Sequence, residues 1–167
     1  MKKRIIRRIT DNALIAAIYY VITILLAGYA FNDVQFRIAE IFLFLIFFRK
    51  DFIIGVTLGC FLVNLHSPLL PWDLIFGTLA TLVSGLLIAY SRKMFWGMIY
   101  PTIVNAVVVG LMLHFIEELP LFATIGLVAI GEFAVLLLGY LIFAMLAKQP
   151  AFLNLIMADN RNEEKDE

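Results

Sequence analysis

The chain has 167 residues, 63% of them apolar and 16% charged, with a mean hydropathy of +0.96. So few polar groups could not cover a soluble domain of this size, so the expected solvent is a bilayer. Thirteen basic and thirteen acidic residues cancel, no broad basic face offers itself to nucleic acid, and one cysteine, Cys60, excludes an intrachain disulfide or a thiolate zinc cluster.

At about 20 residues per crossing, this length holds roughly six spans and no soluble domain. After the basic residues 1–8, apolar spans are expected over 12–30, 34–48, 52–65, 72–90, 96–115 and 121–147. The first is too long for the apolar core of a signal peptide, and no cleavage site stands out. The second and third are short for a hydrocarbon core of about 30 Å, which calls for tilting or for burial beneath neighbours.

Arg49 and Lys50 separate spans two and three, Arg92 and Lys93 separate four and five, and Lys148 follows six. The opposite connections, around Asn32 and Asp33, 66–71 and 117–120, hold no lysine or arginine. The positive-inside rule then places both termini in the cytoplasm. Residues 1–150 read as a single six-helix transmembrane domain and 151–167 as a polar, acidic cytoplasmic tail.

An ionisable group inside hydrocarbon is costly unless paired or turned to a cavity, which makes each one a functional candidate. Arg37 and Glu40 are three apart in the run RIAE, so they share a helix face and either lock span two as an ion pair or meet a ligand. Asn64 closes span three and Asp73 opens span four. For Asp73, capping the helix dipole competes with binding. Asn105 lies midway along span five, where an interhelical hydrogen bond is the plainer reading. Glu132 falls about 16 Å into span six at 1.5 Å per residue, with no cation near it in sequence. It must borrow a partner from another helix, stay protonated or face a ligand. Cys60 reads as a small buried hydrophobe. His66 and His114, near the outer interface, lack the partners a metal site needs, and no metal or cofactor is expected.

Small residues mark close helix approaches. Ala13 and Ala17 form an AxxxA stripe in span one, and Gly55 and Gly59 a GxxxG pair in span three. No phosphate-binding GxxxxGK[ST] loop exists, so the chain does not itself hydrolyse ATP by that route. The two halves show no inverted repeat of broken helices, which weakens a stand-alone ion-coupled carrier.

Five strings in order carry a resemblance: NALIAAIYYVIT from Asn12, RIAE at 37–40, GCFLVNLHSP at 59–68, DLIFGTLATL from Asp73 and PTIVNAVVVG from Pro101, with Glu132 after Gly131. The chain resembles the six-helix substrate-binding S components of energy-coupling factor (ECF) transporters, and among them the QueT family of queuosine-precursor transporters. The resemblance implies a coupling transmembrane subunit and two cytoplasmic ATPases as partners, with Ala13 and Ala17 matching the alanine motif that docks on the coupling subunit. It implies a 7-deazaguanine such as 7-aminomethyl-7-deazaguanine as ligand. Glu132, Asn105, Glu40, Arg37, Asn64 and Asp73 are the residues whose donors and acceptors suit such a base and its cationic arm. An S component for another vitamin or base fits the topology equally. A structural membrane subunit with a buried ion network is a further alternative, and a membrane enzyme lacks a nucleophile, metal cluster or catalytic carboxylate pair.

Overall fold

A computed structural model describes residues 2–30 and 36–157, and these are helical throughout apart from short turns. The connection around Asn32 and Asp33 and the acidic stretch 158–167 lie outside the described residues.

Helix α1, Lys2–Leu25, begins ten residues before the expected apolar span. Nothing in residues 2–11 breaks a helix, so the basic segment continues it. A short α2, Ala27–Ala30, follows. The second span is a five-residue 3-10 segment, Ile38–Phe42, running into α3, Leu43–Phe48. Next come α4, Phe52–Asn64, a π-helical turn over Asp73–Gly77, and α5, Thr78–Ala89. The chain ends in two long helices, α6, Trp96–Glu117, and α7, Leu121–Leu146, and the short α8, Pro150–Ile156. Within the segment expected as tail, residues 151–156 are thus helical, and Phe152 packs its ring against Phe48 and Phe143.

Among the described residues, three helices are long and apolar enough to cross a membrane: Arg4–Leu25 within α1, α6 and α7. The segments Ile38–Phe48, Phe52–Asn64 and Asp73–Ala89 are shorter apolar helices. The shortest segment is also the most enclosed. Ala39, Leu43, Phe44 and Ile46 are fully buried, so α3 and its 3-10 lead are a central strut rather than a surface helix. Glycines make room for it: a Cβ on Gly97 or Gly139 would come within 3.0 and 2.9 Å of the Phe44 ring.

The outside of the bundle reverses the soluble pattern. Leu25, Phe115, Phe122, Ile130 and Leu141 are exposed, and apolar surface on this scale is suited to lipid. Polar residues go inward instead. Helix α1 lies against α4 because Gly55 and Gly59 lack side chains. A Cβ on Gly55 would be 2.7 Å from the Asn12 carbonyl oxygen, and one on Gly59 2.8 Å from Tyr19 Cβ. Gly110 does the same between α6 and α7, where the nearest Ile125 atom would be 2.6 Å away.

Candidate ligand-binding site

Four of the expected residues converge. The 3-10 segment and the residue before it supply Glu40 and Arg37, α6 supplies Asn105 and α7 supplies Glu132, and all four line one small cavity with Val109 and Val128. Counting 1.5 Å per residue, Asn105 is about 13 Å along α6 and Glu132 about 16 Å along the antiparallel α7, so the two helices bring them to the same level. Asn105 Nδ2 donates to Glu132 Oε1 at 2.7 Å. Glu132, Glu40, Arg37 and Asn105 are 3%, 1%, 6% and 7% exposed, so this is a polar centre inside an apolar bundle, where each group needs a partner.

The Glu40 carboxylate joins its own 3-10 segment to two helices. Its Oε1 accepts the Tyr19 hydroxyl of α1 at 2.7 Å and the Thr81 hydroxyl of α5 at 3.5 Å. Arg37 Nη1 stands 4.0 Å from the same oxygen, the i,i+3 approach expected from RIAE. Cys60 of α4 is buried as expected, yet its surroundings are polar: its sulfur accepts from Thr81 at 3.2 Å, Asn64 Nδ2 at 3.3 Å and Arg37 Nη1 at 3.6 Å. Tyr19, Thr81 and Cys60 were not among the expected site residues. Tyr19 is the one with a readable signal, a hydroxyl in the middle of an apolar span on the face that holds Asn12 and Ala16.

Asn64 and Asp73 belong to a second polar group that does not line this cavity. Asn64 Nδ2 donates to the Asp73 carbonyl at 2.9 Å and to Thr78 Oγ1 at 3.2 Å, while the Ser67 hydroxyl donates to Asp73 Oδ2. Asp73 lies in the first turn of the π-helical segment, where an acid complements the helix dipole as the sequence suggested. The pair also ties the end of α4 to this turn, and through Cys60 it touches the first group. Among the described residues, one carboxylate oxygen of Asp73 and the side-chain amide oxygen of Asn64 have no hydrogen-bond partner.

The cavity measures about 10 Å³, close to the least space that holds one water. A larger groove of about 510 Å³ lies between the π-helical turn and α6, but Trp72, Phe76, Val108, Leu111, Met112, Phe115 and Ile116 line it. Those side chains offer a base edge almost nothing to bond. Among the described residues no group of three or more His, Cys, Asp and Glu could hold a metal ion.

Ala13 and Ala17 lie on the exposed face of α1, away from α4, which meets Asn12, Ala16 and Tyr19. Among the described residues, no helix fills that stripe. At the same end, Arg49 lies in the connection between α3 and α4 as expected, yet it is not a solvated loop cation. It is 2% exposed, donates to Asp11 and Asp51 at 2.8 Å each, and stacks 3.9 Å above the Phe52 ring.

The family model described as QueT transporter matches residues 9–148. A protein of Lactococcus lactis subsp. cremoris (strain MG1363) named Queuosine precursor transporter QueT is 34% identical over 166 residues, covering 89% of this chain and 97% of its own length. No solved structure matches. The match spans every element that carries the polar centre, and the chain is multi-pass in character, so it belongs to the QueT transporter family.

Proposed function

We propose that this chain is the substrate-binding S component of an ECF-type importer, and that it binds a 7-deazaguanine with a cationic arm, such as 7-aminomethyl-7-deazaguanine. The observation that carries the reading is the buried cluster of Arg37, Glu40, Asn105 and Glu132 around one cavity. Two carboxylates and an amide suit a ligand rich in donors. A carboxylate accepts the ring NH and exocyclic amine of a guanine edge as a pair, an amide reads the carbonyl, and a second carboxylate neutralises an ammonium. Glu132 with Asn105 takes the base edge, and Glu40, held beside Arg37, takes the arm. Asn64 and Asp73 support this wall from behind Cys60.

The cavity is far smaller than a bicyclic base. Entry therefore requires the segment carrying Arg37 and Glu40 to separate from α6 and α7. The relative's printed name, which specifies a queuosine precursor, supports the ligand class, and family membership supports a role in transport. Six crossings with both termini cytoplasmic fit the basic residues between spans. The exposed Ala13 and Ala17 stripe is where a coupling subunit would dock, with two ATPases supplying the energy.

Calorimetric titration of the purified protein in detergent tests the reading. Saturable heat with 7-aminomethyl-7-deazaguanine, and none with guanine or riboflavin, is the expected result. Tight binding of riboflavin alone would assign the chain to another substrate, and silence with all three would remove the ligand proposed here.

A further inference from the structure

The Glu40 carboxylate is held unevenly. Oε1 has the Tyr19 hydroxyl at 2.7 Å, the Thr81 hydroxyl at 3.5 Å and Arg37 Nη1 at 4.0 Å, whereas Oε2 is buried and has no hydrogen-bond partner among the described residues. A buried carboxylate oxygen with no donor is costly, and Glu40 forms part of the cavity wall. An unmet acceptor in that position is matched by a donor that arrives from outside the protein.

Tyr19 sets this asymmetry. It is fully buried and does not line the cavity itself. Its approach depends on Gly59, where a Cβ would fall 2.8 Å from Tyr19 Cβ and 2.9 Å from Cγ. The glycine of α4 lets the ring of α1 lie flat across it, and the hydroxyl then reaches the 3-10 segment. The terminal torsion of a glutamate is broad, so without that hydroxyl the carboxylate turns and shares both oxygens with Arg37 and Thr81.

We infer that Tyr19 is a specificity-determining positioning residue: it fixes Oε1 of Glu40 so that Oε2 is kept for the ammonium of the ligand, and so selects a cationic ligand over a neutral one of the same ring shape. The inference rests on the site reading given above. An ammonium makes a charge-assisted bond to Oε2, whereas a neutral substituent leaves that oxygen desolvated and unmet. Tyr19 never touches the ligand and acts only through Glu40.

The test is titration of the wild type and Tyr19→Phe with two ring-matched ligands, 7-aminomethyl-7-deazaguanine and the neutral 7-methyl-7-deazaguanine. The wild type is expected to prefer the amine, and Tyr19→Phe to lose about tenfold on the amine, the scale of one charged hydrogen bond, while the neutral ligand changes less than about twofold. Thr81→Val, which leaves the Tyr19 bond in place, should move the ratio the same way by less. Equal weakening of both ligands, or an unchanged ratio, would overturn the positioning role while leaving the site reading intact. A wild type that binds neither ligand would overturn both.

Discussion

Arg49 stands in a charged triplet between two apolar helices, where a loop cation was expected, yet it is almost wholly buried. Its guanidinium binds both oxygens of Asp51, at 2.8 and 3.1 Å, and reaches Asp11 of α1 at 2.8 Å. It also donates to the Ile156 carbonyl at the end of α8 at 3.5 Å, while Arg7 donates to the Leu155 carbonyl at 3.1 Å. One side chain therefore joins the first, fourth and last helices, with Phe52 beneath it. Arg49→Gln should lower stability by about 1–3 kcal/mol, the range for losing hydrogen bonds to charged groups, since Asp11 and Asp51 stay partly wetted. A lower unfolding temperature in detergent, with earlier proteolysis at α8, is the expected outcome. An unchanged temperature would reduce the node to surface decoration. The same scale shows why some site residues were legible and others not. Arg37, Glu40, Asn105 and Glu132 announce themselves because ionisable and amide groups are rare in apolar spans. Cys60 and Thr81 pass for ordinary membrane-helix residues, since only the fold brings the Thr81 hydroxyl to the Glu40 carboxylate and the Cys60 sulfur to Thr81.

At the scale of elements, the apolar runs gave the helix bounds from the second onward within a few residues, because charged or proline-containing turns interrupt them. Which helix lies inside was legible only in part, from the shortness of the second and third spans, which called for tilting or burial. The segment Ile38–Phe48 is apolar like the others, but its residues fill the centre, with Phe44 seated against Gly97 and Gly139. The small-residue motifs likewise look alike in sequence and part company in space. Gly55 and Gly59 are spent on the contact between α1 and α4, whereas Ala13 and Ala17 face outward. Gly55→Ala should therefore be disruptive, because the added methyl meets backbone and side-chain atoms of Asn12 at 2.7–3.0 Å. A loss of about 1–3 kcal/mol is expected from such overpacking, read as a fall in unfolding temperature. Preserved stability would mean that α1 shifts freely along α4. The α6–α7 turn carries strain of its own: Glu118 adopts φ 57°, a left-handed conformation that favours glycine.

For the whole molecule, the polar centre sits where α6, α7 and the central segment meet, and Tyr19 and Thr81 extend it to α1 and α5. Helices α1, α5, α6 and α7 all contribute a side chain to it. On the proposed function, this cluster, with Glu132 at its core, holds the ligand. The most direct measurement is calorimetric titration of Glu132→Ala with 7-aminomethyl-7-deazaguanine, alongside its thermal unfolding. The account predicts that binding falls by at least about 100-fold, as removal of a paired, buried carboxylate interaction implies, while the protein still unfolds cooperatively. Wild-type affinity in a folded Glu132→Ala protein would contradict it and move the ligand to another part of the bundle.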